Sequence, residues 1–155
     1  MIFFKIPGPP RGKARARTFY NPNLGRSQSI TPEKTVLYEN LIKQQYLASN
    51  LDKKWFNKEP LGMTIYAGYP IPKSMTKKQL AEIKAGRLKP TKKPDVDNIA
   101  KIVCDALNGI AYGDDAQIVR NYNIKEYVEE PAVYVWIWEV GGEEAWPNVG
   151  CSLRP

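Results

Sequence analysis

Histidine is absent from this chain of 155 residues, and cysteine occurs only twice. The first absence excludes Ser-His-Asp and Cys-His triads, histidine general bases and histidine metal ligands. Cys104 and Cys151 have no zinc-type spacing. Two cysteines are also too few for a disulfide framework, so a reducing cytosol is the expected setting. No apolar run approaches the ~18 residues that span a membrane. The opening MIFFKIPGPP is a short apolar run halted by prolines, and does not read as a signal peptide. Acid is missing from the first stretch as well: nothing before Glu33 carries a negative side chain.

Positive charge dominates what is present. The net charge is +7, which suits a protein that meets a polyanion, nucleic acid first, although such charge also serves solubility. Two segments concentrate it. Residues 11–26 carry Arg11, Lys13, Arg15, Arg17 and Arg26 among Gly, Pro, Asn and Ser, and read as a mobile basic loop. Within it, Phe19 and Tyr20 are suited either to stack on exposed bases or to pin the loop to the core. Residues 70–93 carry Lys73, Lys77, Lys78, Lys84, Arg87, Lys89, Lys92 and Lys93 against Glu82 alone. This stretch reads as a basic insertion that grips a nucleic-acid strand.

Periodicity predicts the elements. Residues 2–6 form a strand stopped by prolines. Thr31-Pro32-Glu33 opens a helix to about residue 49, with Thr31 as N-cap and Leu37, Tyr38, Leu41 and Ile42 at helical spacing. Residues 61–69 form a second strand. Residues 76–85 form a short helix closed by Gly86, and residues 95–107 a longer one stopped by Asn108-Gly109. Residues 117–128 and 132–140 read as a β-hairpin turned at Glu129-Glu130-Pro131. The last strand is apolar on both faces, so both need covering, one by a helix and the other by a partner subunit. The result is a single α+β layered domain over residues 1–140, β-α-β-(basic insertion)-α-β-β, with a mixed sheet packed by helices. Residues 141–155 make an irregular tail.

Five carboxylates crowd into residues 93–119 of this basic chain: Asp95, Asp97, Asp105, Asp114 and Asp115. Clustered like charges repel, and a cation relieves them. With no histidine, any metal sits mainly on oxygen, which favours Mg2+ or Mn2+ over zinc. Asp97, Lys101 and Asp105 fall on one stripe of the helix, with Val96, Ile99, Val103 and Leu107 toward the core. Asp95 sits at the helix entry, and a strand beside the helix brings Asp114 or Asp115 back toward Asp95 and Asp97. Three convergent carboxylates and a lysine suit phosphoryl transfer, with Lys101 charging the transition state and Asp105 pairing with Lys101 to orient it. Each feature has an ordinary alternative: a helix cap, an i,i+4 ion pair between Asp97 and Lys101, and an Asp-Asp turn.

The PDVDN motif, Lys101, Asp105-Ala106-Leu107 and the DDAQIV run from Asp114 resemble the RusA family of Holliday-junction resolvases. The proline turn and the GKARAR stretch from Gly12 to Arg17 resemble phage and prophage members. The resemblance implies a homodimeric, Mg2+-dependent endonuclease that nicks opposing strands of a four-way DNA junction symmetrically, in recombination and repair. It implies catalytic residues Asp95, Asp97, Lys101 and Asp115, metal on Asp95, Asp97 and Asp115 with Asp114 nearby, and Asn98 and Asp105 in support. It also implies work in a bacterial or phage-infected host cytoplasm. Trp136 and Trp138 are the expected dimer contacts. The insertion departs from compact members, which leaves two alternatives: a Mg2+ nuclease on other branched DNA or RNA, or a junction-binding protein without catalysis.

Overall fold

Leu61–Pro70 is buried along almost its whole length, and that decides the sheet. A strand this apolar loses most by exposure, so it takes the centre, and more polar strands take the edges. The computed structural model describes residues 1–52 and 54–141. Among them the elements are β1 (Ile2–Pro7), β2 (Arg17–Asn21), β3 (Arg26–Ile30), α1 (Glu33–Ser49), β4 (Leu61–Pro70), α2 (Lys77–Lys84), α3 (Val96–Leu107), β5 (Ile118–Val128) and β6 (Ala132–Glu139). The main sheet runs β1-β6-β4-β5, with β5 parallel to β4 and the other pairs antiparallel. The fold is thus an α+β layered domain with a mixed sheet. The tail expected at 141–155 lies, after Gly141, outside the described residues.

The predicted hairpin of residues 117–128 and 132–140 does not form. Both strands exist, but β4 lies between them and pairs with each. Burial explains the outcome. β5 is largely exposed along its first half, as an edge strand should be, whereas β4 and β6 are apolar on both faces. A β5–β6 hairpin would have left β4 at an edge.

The basic loop also departs from expectation. Residues 17–30 form a separate two-stranded hairpin, β2–β3. Its turn is made locally: the Asn23 N–H donates to Asn21 Oδ1 at 3.0 Å.

Helices α1 and α3 pack together on one face of the sheet. The core joins Ile2, Phe4 and Ile6 of β1, Tyr38, Ile42 and Tyr46 of α1, Met63 and Ile65 of β4, Ile99, Ile102, Val103 and Leu107 of α3, and Val133, Val135 and Ile137 of β6. Side chains such as Ile42 each contribute ~1.5–3 kcal/mol by burial. In α1 the buried stripe is Thr35, Tyr38, Ile42 and Tyr46. Leu37, expected inside, is exposed. The helix also starts one residue later than the Thr31 cap predicted. Pro32 takes the cap position, makes no side-chain cap bond, and its carbonyl accepts from Thr35 and Val36. Val96 of α3, expected in the core, is 40% exposed.

The opposite sheet face carries a second apolar cluster of Tyr66, Val128, Trp136 and Trp138, with Ile124 and Tyr134 against it. Trp136 and Trp138, read from sequence as dimer contacts, are only 7% and 5% exposed within the chain itself. Gly62 makes room for this. It sits opposite Trp138 in the ladder, and a Cβ there would come within 2.2 Å of the indole ring. Tyr122 stacks on the same indole at 6.4 Å. Trp138 is therefore folded down onto the sheet instead of standing out for a partner.

The insertion holds α2, as predicted. Thr76 and Gln79 form a reciprocal capping box, and Ala85 with Gly86 ends the helix. No residue of α2 is buried, so the helix stands off the core with its lysines outward. No helix among the described residues is long and apolar enough to cross a membrane.

Candidate active site

The entry to α3 is held from two sides. On the sheet side, the Tyr69 hydroxyl donates to the Pro94 carbonyl at 2.8 Å. Lys125 Nζ donates to the same carbonyl at 3.1 Å and to that of Lys92 at 2.6 Å. Lys125 also lies 4.9 Å from the centre of the Tyr69 ring, a cation–π contact that keeps both groups in place. The Lys93–Pro94 peptide in this clamped segment is cis. On the other side lies the basic segment. The Lys13 N–H donates to the Asn98 carbonyl at 3.1 Å. At Gly12 a Cβ would stand 2.9 Å from Pro94 Cβ and 3.0 Å from Asn98 Cβ, so only glycine lets the backbones approach this closely.

The five clustered carboxylates separate into two kinds. Two have structural partners. Asp114 caps the single 3-10 turn Asp115–Gln117, accepting from the Ala116 N–H at 2.8 Å, while the Gln117 amide accepts back from Gly113 and Asp114. Asp105 pairs with Lys13 at 3.0 Å, and Lys13 also bonds Glu39 of α1. The expected Asp105–Lys101 pair does not form, because Lys13 reaches Asp105 first. Lys13, read from sequence as a phosphate contact, is thus turned inward onto two acids.

The other three are exposed and uncommitted. Asp95 occupies the N-cap position of α3 yet makes no side-chain cap bond. Asp97, in the first turn, makes no ion pair with Lys101, which is itself exposed. Asp115 opens the 3-10 turn with its carboxylate outward. Among the described residues none of these four side chains forms a hydrogen bond or ion pair. The N-terminal peptide dipoles of α3 make its first turn a favourable place for negative charge.

The expected convergence of three carboxylates is not formed. Among the described residues no three acidic side chains stand close enough together to hold a metal ion. Asp95, with extended backbone at the cap, and Asp97, in the first turn, lie two residues apart at the helix entry. Asp114 and Asp105 are engaged elsewhere. The acids instead act along the length of α3. Near its entry, burial and then the charge of Asp95 push the Tyr69 hydroxyl up to about 12. Toward its end, burial and then the charge of Asp115 push the Cys104 thiol up to about 11. The donor chemistry still fits a hard cation. Mg2+ keeps several waters and is commonly held by one or two carboxylates together with substrate phosphate, not by a closed protein cage. Exposed, uncommitted aspartates without histidine match that habit.

Exposed cations lie in both basic segments: Arg11, Arg15 and Arg17 in the one that packs on the helix entry through Gly12 and Lys13, and Lys73, Lys77, Lys78 and Lys93 in the insertion that leads into it. Lys92 lies 5.8 Å from the ring centres of both Tyr69 and Tyr127. Arg87 is bound to Glu82, and Lys89 to Glu126, so these two have less charge to offer. Tyr69, Lys125 and Gly12 were not singled out by sequence. A tyrosine just before Pro70 at the end of an apolar strand was the one visible hint of the clamp.

Two comparisons bear on this arrangement. A family model for the endodeoxyribonuclease RusA matches residues 7–138. The uncharacterized protein YqaN of Bacillus subtilis (strain 168) is 36% identical over 141 residues, covering 90% of this chain and 96% of the relative.

Proposed function

We propose a function from one premise: the chain belongs to the RusA endodeoxyribonuclease family. Its reading here is a structure-selective endonuclease that resolves four-way DNA junctions by paired, symmetric nicks, in recombination and repair. One observation carries it. Asp95, Asp97 and Lys101 are exposed and uncommitted at the start of a clamped helix, with neither the cap nor the ion pair their positions would otherwise give.

The roles follow from charge and place. Arg15, Arg17 and the exposed lysines of the insertion draw in the phosphate backbone. Asp95 and Asp97 would hold the metal by oxygen together with substrate phosphate, and Asp115 would add its carboxylate only once DNA and metal draw it in. When bound, Mg2+, or Mn2+ in its place, supplies positive charge to the scissile phosphate and acidifies a water. Lys101 keeps its ammonium free of carboxylate partners, so its charge is available to the oxygen that leaves as the P–O bond breaks. Tyr69 and Lys125 hold the Pro94 carbonyl, which fixes the position of Asp95 one residue on. Asn98 and Asp105 support the site from the same helix, Asp105 through Lys13. A homodimer would present two such sites about a two-fold axis, matching the two opposed strands of a four-way junction.

The test is cleavage of a synthetic four-way junction beside linear duplex and fork controls, in Mg2+ and in EDTA. Symmetric nicks in the junction, made only with Mg2+, are the expected result. Junction binding with no cutting in Mg2+ or Mn2+ would remove the catalytic reading. Preferential cutting of forks or RNA would move the substrate instead.

A further inference from the structure

We infer that the β2–β3 hairpin probes the branch point of DNA, with one face: Arg17, Phe19 and Arg26. This rests on the junction-cleaving function proposed above and adds the element that recognises the branch.

The hairpin is not part of the core. No residue of either strand is buried. It is held by local polar contacts: Thr18 and Ser29 hydroxyls at 2.8 Å, and the Asn21 amide donating to Gln28 at 3.0 Å. An isolated two-stranded hairpin is marginal in water, so a hairpin outside the core gains little from aromatics left on its surface. Yet it displays Phe19 and Tyr20 at 43% and 63% exposure.

The register separates these two aromatics. Arg17 pairs with Ile30, Phe19 with Gln28, and Asn21 with Arg26. Because side chains alternate along a strand, Arg17, Phe19 and Arg26 share one face. Tyr20 falls on the other, with Thr18, Ser27 and Ser29. One face therefore carries Arg17, Phe19 and Arg26 along its length, with Ile30, Gln28 and Asn21 paired beside them, and the other carries Tyr20 among small hydroxyl side chains. With no acid before Glu33, nothing on the hairpin repels phosphate.

Arginine on both sides of an aromatic suits a strand whose bases offer a ring face. Continuous duplex hides those faces in the stack. A branch point exposes them or lets them unstack at low cost, and apolar wedges enter duplexes at such steps. The hairpin is also placed to do this. Gly12 and Lys13 are packed on α3 at Pro94 and Asn98, and Arg17 follows four residues later. Four extended residues span at most ~14 Å. That distance is about four nucleotide steps along a strand. A hairpin seated at the branch would thus leave the acidic mouth over a phosphate within a few nucleotides of it.

The experiment compares full-length wild type with F19A, F19W and Y20A. Affinity is measured for a four-way junction and for linear duplex of equal length, and 2-aminopurine at the branch reports unstacking. For wild type we expect junction preference and a 2-aminopurine response. F19A should lose about tenfold or more of the preference and the fluorescence response, with duplex affinity unchanged. F19W should retain both, and Y20A should stay within about twofold of wild type. F19A that keeps the preference and the response would overturn the inference while leaving the junction reading intact. So would Y20A failing as badly as F19A. A wild type with no junction preference would bring down the functional reading and this inference with it.

Discussion

Lys13 Nζ lies 3.0 Å from Asp105 Oδ2, joining the basic segment that precedes the hairpin to the last turn of α3. Glu39 of α1 holds the same ammonium, so one lysine ties three parts of the chain together. Burial pulls the Lys13 ammonium down, but its hydrogen bonds to Glu39 and Asp105 outweigh that and leave it above its ordinary value of 10.5. A group raised on folding stabilises fully below its unfolded value and loses that contribution as pH rises through its folded one. The melting difference between wild type and Lys13→Met should therefore hold steady from about pH 7 to 9, and shrink only above about 10.5. Paired thermal melts across that range check it.

The same contact separates Lys13 from its neighbours. Lys13→Met should cost about 1–2 kcal/mol of stability, discounted for partial exposure. Arg15→Gln and Arg17→Gln should leave melting unchanged but each lower the salt slope of DNA binding by about one unit. Binding titrations across a salt series distinguish the two behaviours.

Asp97→Asn and Lys101→Ala should each lower cleavage by about a hundredfold or more, while stability changes by less than about 0.5 kcal/mol. Neither side chain has a partner to lose. Asp97→Asn should bind DNA as well as wild type or better, because it removes a negative charge near phosphate. A lowered melting temperature with cleavage intact would assign these residues to structure.

The neighbouring aspartates should part company. Asp114→Ala loses a cap and should cost about 1 kcal/mol, with cleavage reduced less than by Asp115→Asn. Asp115→Asn should abolish cleavage without a change in melting. Denaturant unfolding and junction cleavage on both variants decide it.

Gly12→Val should destabilise by about 1–3 kcal/mol, since its side chain meets Pro94 and Asn98. Because those residues flank Asp95 and Asp97, cleavage should fall further than stability alone explains. Gly12→Ala should lie between Gly12→Val and wild type in the same two assays.

Periodicity located nearly every element, because apolar spacing and turn residues are local properties. Strand order is not local. That β4 divides β5 from β6 follows from how thoroughly Leu61–Pro70 must be buried, a competition between strands that no single window reports. The hairpin within residues 17–30 was missed because its strands carry arginine, serine and asparagine, with no alternation toward a core. At the site, the motif pointed to residues 93–119, but it did not show which acids are committed. Asp105 looked like a partner for Lys101 at helical spacing, and the competing Lys13 comes from a distant part of the chain. The Tyr69 and Lys125 clamp depends in the same way on strand register.

Among the described residues β1 neighbours β6 alone in the main sheet, so β1 must await a strand about 125 residues further along the chain. Pairing over such separation is slow. Worse, β5 and β6 are joined by three residues and are free to zip together before β4 arrives. That premature hairpin would have to reopen to admit the central strand. Refolding should thus show a phase slower than the chain length alone suggests, and truncation before Ala132, which removes every partner of β1, should leave that strand unpaired and the sheet unfinished.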